Sequence, residues 1–155
     1  MTTIRDAGRR RRPRRRGNGQ ALVEFVLVAP IFFLLLFGIV EAGRFVFFYE
    51  TLHNATREGA RYAIVNGANS LGCPTGPPAP GSVACDPAGD DVRARVQAAA
   101  FGTGAAVMVT PTWYSDNGRG STVTVRATYT YSTLVPIVPL PSITVTAESS
   151  LVVNN

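Results

Sequence analysis

The longest hydrophobic run of this chain lies near its N-terminus. From Ala21 to Val40, twenty consecutive residues carry a single charge, that of Glu24. An α-helix of this length spans about 30 Å, which is the thickness of the hydrocarbon core of a bilayer. The pattern therefore predicts a transmembrane helix, with its membrane segment at about residues 21–43.

Beyond this run the hydrophobic positions follow a helical periodicity. Apolar or small residues recur at alternating spacings of four and three, which is typical of one face of an amphipathic helix. They are Phe48, Leu52, Ala55, Gly59 and Tyr62. Asn66 and Gly67 are typical C-terminal stop residues. We therefore expect one long helix within residues 20–67, from about Gln20 to Val65.

Ala55, Gly59 and Ala63 form a row of small residues at a spacing of four on this helix. Small side chains let another backbone approach closely. Two occupants fit such a row, namely the chain's own sheet and a helix of a neighbouring subunit. We favour the sheet, because the following residues predict one.

The C-terminal part of the chain, residues 68–155, predicts a short helix and an antiparallel sheet. Acidic residues open the helix at Asp90–Phe101, and alternating apolar and polar residues indicate strands. The strand segments are Ala106–Tyr114, Ser121–Tyr131 and Ile143–Val153. Asp116–Gly120 predicts a hairpin turn between the first two. The expected fold is α+β, with a long N-terminal helix, transmembrane in its first half, packed on a small antiparallel sheet.

Between the second and third strands lies the apolar segment Leu134–Pro141. Its prolines exclude a central strand or a helix. Two interpretations remain open. The segment either folds under the sheet as part of the core, or forms an exposed apolar patch that meets a partner or the outer leaflet.

Charge is concentrated at the N-terminus. All fifteen basic residues are arginine and eight of them precede Gly17, whereas from Gln20 onward seven arginines face nine acidic residues. Such a cluster could bind nucleic acid, but it has no aromatic residue for base stacking and directly precedes the apolar run. We expect residues 1–19 to be a basic cytoplasmic leader, residues 68–155 to be extracytoplasmic, and nucleic acid not to be a partner.

A cleaved secretory signal is a weaker alternative, because residues 41–44 make a poor cleavage site.

The only two cysteines, Cys73 and Cys85, flank a segment rich in proline and glycine. Outside the cytoplasm disulfides persist, so the predicted topology favours a Cys73–Cys85 bond over two free thiols. Two cysteines and the single histidine, His53, do not make a structural zinc site. We expect no metal and no cofactor.

Residues for catalysis are not arranged in any recognisable pattern. His53 is the only histidine, so a Ser-His-Asp or Cys-His arrangement would have to use it and no second histidine would remain. The sequence also contains no phosphate-binding glycine loop. We expect His53 on the exposed flank of the long helix. The sequence predicts neither an enzyme nor a small-molecule substrate.

Two acidic residues of the long helix stand out. Glu41 lies three residues before Arg44, so the two can pair at the outer membrane boundary. Glu24 lies inside the apolar run, where a carboxylate is unfavourable and therefore indicates a functional site. The alternative for Glu24 is that its side chain reaches back to the cytoplasmic interface and has no role.

The N-terminal half of the chain resembles a known family. A basic leader ending in Gly19, followed by Gln20 and by an acid at the fifth position, Glu24, looks like a type IV prepilin processing site. The sequences GQALVEF at residues 19–25, GIVEAGR at 38–44 and ATREGARYA at 55–63 more specifically resemble the TadE-like family. These proteins are pseudopilins of tight-adherence (Flp-type) pilus systems.

The resemblance implies a pilin-like fold and a structural role as a minor subunit of a pilus assembly system. A prepilin peptidase would cut after Gly19, so that Gln20 becomes the new N-terminus. Glu24 would pair with the N-terminal ammonium group of a neighbouring subunit. The implied partners are the membrane, this peptidase, other pilin or pseudopilin subunits and the assembly platform. The implied location is the bacterial cell membrane, with a single pass, a cytoplasmic N-terminus and an extracytoplasmic C-terminal domain.

Two departures from the family pattern are visible. Flp-type pilins often carry tyrosine after the acid, whereas this chain has Phe25. The predicted extracytoplasmic domain is also larger than that of a short major pilin, which favours a minor component. An unprocessed, single-pass membrane-anchored binding module would share every feature except the use of Gly19.

Overall fold

A computed structural model of the chain describes residues 18–103, 107–134 and 142–154. The chain divides into two compact units, of which the first ends at Gly38 and the second begins at Ile39. The arginine-rich leader before Asn18 lies outside the described residues. So does the apolar segment 135–141, so both interpretations of it stay open.

The first element is helix α1, Asn18–Val65. It runs through Pro30 and ends directly before Asn66, so the predicted long helix and its stop are confirmed. The side chain of Asn66 donates a hydrogen bond to the Tyr62 carbonyl oxygen at 3.0 Å. The same carbonyl oxygen also accepts the backbone N–H of Asn66 at 3.0 Å, so Asn66 closes the helix end with two hydrogen bonds.

A second helix, α2, spans Asp90–Ala99 and begins as predicted. Asp86 caps it from outside, because its two carboxylate oxygens accept hydrogen bonds from the backbone N–H groups of Asp90 and Asp91 at 2.8 and 2.9 Å. The helix ends two residues earlier than predicted. Gly102 follows with a φ of 84°, a left-handed conformation that reverses the chain at little cost for glycine.

The three predicted strands are present and form one antiparallel sheet in the order β1-β2-β3. The strands are β1 Met108–Trp113, β2 Thr122–Tyr131 and β3 Ile143–Val152. Ala127 in the middle strand faces Val109 on one side and Ala147 on the other. This register places the apolar residues of the three strands on the same face, which is the alternation that the sequence predicted.

The core of the second unit lies between this face of the sheet and the two helices. It contains fourteen buried residues: Leu52, Ala55, Ala60, Ala63, Val92, Val96, Ala100, Val107, Val109, Val123, Val125, Ala127, Val145 and Ala147. An ion pair between Arg95 and Glu58, with 3.1 Å between Nη2 and Oε1, joins α2 to α1 at the surface. The expected α+β fold, with the later turns of the long helix on the sheet, is confirmed.

The row of small residues packs inside the chain, as we favoured. Its nearest neighbour, however, is helix α2 and not the sheet. A Cβ atom placed on Gly59 would lie 2.2 Å from Cγ2 of Val96 in α2 and 3.5 Å from Cγ1 of Val125 in the sheet. Ala55 and Ala63 are fully buried on the same side. The absence of a side chain at Gly59 therefore allows the close approach of α2, while the sheet lies at an ordinary contact distance. Because these residues are covered within the chain, they are not available to a neighbouring helix.

Candidate functional site

Gly19, Gln20 and Glu24 lie on the first two turns of α1. All three are exposed. Gln20 and Glu24 are four residues apart, so their backbones are separated by about 6 Å along the helix axis, a little more than one turn. The helix thus places the residue that would become the N-terminus and the acid close to the same helix face.

Neither Gly19 nor Glu24 contributes to the packing of the described residues. A Cβ atom added to Gly19 would have none of their atoms within 4 Å, so this part of the fold does not require a glycine there. Within the described residues Glu24 makes no hydrogen bond and no ion pair.

The membrane segment exposes nearly all of its large side chains. Leu22, Phe25, Ile31, Leu34 and Ile39 are each exposed by more than half. Apolar surface in contact with water is unfavourable by about 25 cal/mol per Å², so a helix with such a surface requires lipid or other apolar helices around it. Among the described residues α1 is the one helix long and apolar enough to cross a membrane.

Glu41, directly after the apolar run Ala21–Val40, links the helix to the end of β2. Its carboxylate accepts hydrogen bonds from the Tyr131 hydroxyl group at 2.8 Å and from the Leu134 backbone N–H at 3.1 Å. Nη1 of Arg44 lies 3.1 Å from Glu41 Oε2, which confirms the predicted pair. The hydrogen bonds from Tyr131 and Leu134 were not predicted, because these donors lie about ninety residues away from Glu41 along the chain.

Aromatic rings surround this hydrogen-bonded group. Phe45 and Phe48 contact the Tyr131 ring, with centroid distances of 5.5 and 5.8 Å, and the Arg44 guanidinium group lies 5.6 Å from the Tyr131 centroid. Burial, together with the hydrogen bond to Glu41, raises the pKa of Tyr131 to about 12. The phenol therefore keeps its proton at physiological pH and remains a donor to the carboxylate.

Cys73 and Cys85 are joined by a disulfide, with 5.5 Å between their Cα atoms. The loop that they close is held by Asn117, a fully buried residue of the predicted hairpin turn. Its side-chain oxygen accepts a hydrogen bond from the Ala79 N–H at 3.0 Å, and its side-chain nitrogen donates one to the Thr75 carbonyl oxygen at 3.1 Å. Sequence reasoning identified Asn117 only as a turn residue, since asparagine is common in turns.

Serine at Cys73 or at Cys85 should lower the free energy of unfolding by about 2 kcal/mol. The bond closes a loop of twelve residues, and this closure limits the freedom of the unfolded chain. Thermal unfolding in detergent would measure the loss, with Ser82→Ala inside the same loop as the control. In the native protein both thiols should resist alkylation until a reductant is added, and rapid labelling without reductant would contradict the pairing.

His53 differs from its predicted position on an exposed flank. The residue is half-buried, and its ring packs on the Tyr49 ring one turn earlier, with 4.5 Å between the centroids. Its Nε2 atom is shielded from solvent and has no hydrogen-bond partner among the described residues. The prediction was wrong because residues four apart on a helix cover each other.

A search for metal ligands within residues 18–103, 107–134 and 142–154 finds no group of three or more histidine, cysteine, aspartate or glutamate side chains that could hold an ion.

Comparison with known proteins gives one result. Residues 19–61 match the family model described as TadE-like protein. This segment is TadE-like. No curated protein and no solved structure matches significantly. The match confirms the resemblance that the three sequence motifs of the long helix predicted.

The TadE-like match begins at Gly19, continues through Glu24 and Glu41, and ends on the buried part of α1. It does not extend to α2 or to the sheet. The TadE-like family is associated with Tad pili, and the match to it covers the long helix of this chain. One apolar helix near the N-terminus agrees with single-pass anchoring in a membrane.

Proposed function

We propose that this chain is a minor pilin-like subunit, a pseudopilin, of a tight-adherence pilus assembly system. A prepilin peptidase cuts it after Gly19, and Glu24 then joins it to other pilin or pseudopilin subunits on the assembly platform. The observation that supports this most is the position of Gly19 and Glu24. Both lie in the TadE-like segment, both are exposed, and neither contributes to the fold of the chain.

The chemistry of the mature end supports the assignment of Glu24. After cleavage Gln20 carries a free ammonium group at the apolar end of α1. Either charge alone is unfavourable next to lipid, whereas a pair between an ammonium group and a carboxylate compensates both. Pairing of Glu24 with the ammonium group of a neighbouring subunit therefore favours assembly over the isolated subunit.

The folded part beyond residue 67 supports a minor rather than a major subunit. It contains a helix, a three-stranded sheet and a disulfide-closed loop. A subunit that only forms the shaft needs little beyond a helix, whereas a folded domain offers surface to other components. The partners that follow are the membrane, the peptidase, and other subunits of the same system.

The orientation follows from the arginine asymmetry across Ala21–Val40. Basic residues flanking a membrane segment remain in the cytoplasm, so the N-terminus is cytoplasmic and the disulfide-containing domain is extracytoplasmic. Protease added to spheroplasts should digest the sheet domain while a cytoplasmic marker stays intact. Full protection of the domain under these conditions would contradict the orientation.

Glu24→Ala should weaken assembly without affecting insertion. The change makes the membrane segment more apolar, so the protein should still resist extraction with carbonate. Its recovery with other pilus subunits after mild solubilisation should fall about tenfold, which corresponds to a coupling of about 1.4 kcal/mol. Glu50→Ala is the matched control, because Glu50 is an exposed acid on α1 beyond the membrane segment. Normal co-isolation of Glu24→Ala would remove the assembly role.

A further inference from the structure

The second unit carries large apolar side chains in contact with solvent at the end where α1 enters it. Phe47 is 52%, Phe101 79% and Leu134 67% exposed. Phe47 belongs to α1, Phe101 to the connection from α2 to β1, and Leu134 to the residues after β2. We call these three residues the membrane-proximal rim. The three residues come from separate elements of this unit, so its exposed apolar character does not arise from one hydrophobic stretch.

A hydrogen bond fixes the position of Leu134 along the axis of α1. Its backbone N–H donates to Oε1 of Glu41 at 3.1 Å, and Glu41 is the first residue after the apolar run that ends at Val40. One residue along a helix corresponds to about 1.5 Å. Leu134 is therefore held about 3 Å before the predicted end of the membrane segment at residue 43.

The other two rim residues lie slightly farther along α1. A Cβ atom placed on Gly102, next to Phe101, would lie 3.6 Å from ring carbons of both Phe47 and Phe48. Phe47 follows the predicted end of the membrane segment, residue 43, by four residues, or about 6 Å. Helical side chains point back toward the N-terminus, so the Phe47 ring is directed toward the bilayer. This depth corresponds to the headgroup region, which is about 5–7 Å thick on each side.

We infer that the membrane-proximal rim inserts into the headgroup region of the bilayer and holds the folded domain against the membrane surface. Aromatic residues are favoured at this depth, because their rings are apolar while their surroundings are partly hydrated. A lipid surface fits better than a protein partner, because Ile39 and Val40, the last residues of the apolar run, are also exposed in this unit. The nearest charges, Glu41 and Arg44, are paired with each other and do not oppose the contact.

Tryptophan substitution in the full-length protein tests this inference. The protein is reconstituted into phosphatidylcholine vesicles in which some acyl chains carry bromine close to the headgroup and others carry it near the chain end, since bromine quenches tryptophan fluorescence at contact distance and both depths must be covered. Phe101→Trp and Leu134→Trp report on the rim. Leu71→Trp is the matched control, because Leu71 is fully exposed beyond the opposite end of α1. Phe33→Trp, in the membrane segment, is the positive control, and the unsubstituted protein provides the background of Trp113.

We expect quenching at both rim positions to reach at least about half of that at Phe33→Trp, as for interfacial aromatic residues, and to be absent at Leu71→Trp. Quenching at Phe33→Trp with rim values equal to that of Leu71→Trp would overturn the inference and favour a protein partner for the rim. Absence of quenching at Phe33→Trp would contradict anchoring itself, on which the inference depends. Neither result involves cleavage after Gly19, so the proposed processing is tested separately. Resistance of the thiols to alkylation in each variant shows that the domain is folded.

Discussion

Valine at Gly19 should leave the leader attached to every copy of the protein. The proposed cut lies between Gly19 and Gln20, and a branched side chain there would clash where the peptidase requires bare backbone. The chain itself has room for the substitution, because no atom lies within 4 Å of a Cβ placed on Gly19. A loss of cleavage would therefore report on the enzyme and not on misfolding. The intact mass of the membrane-extracted protein measures it, since the proposed cut would give a mature chain that begins at Gln20.

Gly38→Val is the control for this experiment. Gly38 also lies on α1 with no atom within 4 Å of its added Cβ, but it is far from the proposed cut. The control should be processed normally. If the unsubstituted protein keeps the whole leader in cells with a working prepilin peptidase, the processing proposal fails. The unprocessed membrane-anchored module is then the better account.

A second large effect is expected at Gly59, inside the folded domain. Gly59→Leu should lower the free energy of unfolding by about 3 kcal/mol or more, because overfilling a packed core forces backbone shifts. Even the first added carbon would lie 2.2 Å from Cγ2 of Val96, and Val92 and Val125 surround the same point. Denaturation in detergent, followed by near-ultraviolet circular dichroism of Trp113, reports on the domain and not on the membrane helix.

Gly43→Leu provides the comparison, since Gly43 lies on the same helix with no atom within 4 Å of its added Cβ. It should change the unfolding free energy by less than about 1 kcal/mol. A substitution that adds only one carbon tests the contact between Gly59 and Val96 directly. Gly59→Ala combined with Val96→Ala should cost less than the sum of the two single changes, because the second makes room for the first. Equal stability of Gly59→Leu and Gly43→Leu would contradict the close approach of α2.

The sequence predicted the elements of this fold with small errors at their ends. The long helix, the short helix and all three strands occur where periodicity placed them, because burying one face of a helix or strand imposes a local repeat on the residue types. Glu41 and Arg44 were predicted to pair for the same reason, since a spacing of three on a helix brings side chains together. The proposed processing motif at Gly19–Glu24 is also local, and it lies within the TadE-like match.

Other features could not be predicted because their partners are distant in the sequence. Asn117 binds Ala79 across 38 residues, and Glu41 binds Tyr131 across 90. Neither pair leaves a repeat or a spacing in the chain. The same holds for Gly59, whose row of small residues predicted a close neighbour but did not distinguish α2 from the sheet or from another subunit.

The sequence by itself therefore determined the transmembrane helix, the order of elements and the candidate positions Gly19 and Glu24, all of which depend on composition and short spacings. The tertiary structure alone decided which groups meet: the Glu41 carboxylate with the end of β2, Asn117 with the disulfide loop, and Gly59 with Val96. The physical reason is that local periodicity reflects which side chains must be buried. Choosing their partners depends on how the complete chain packs.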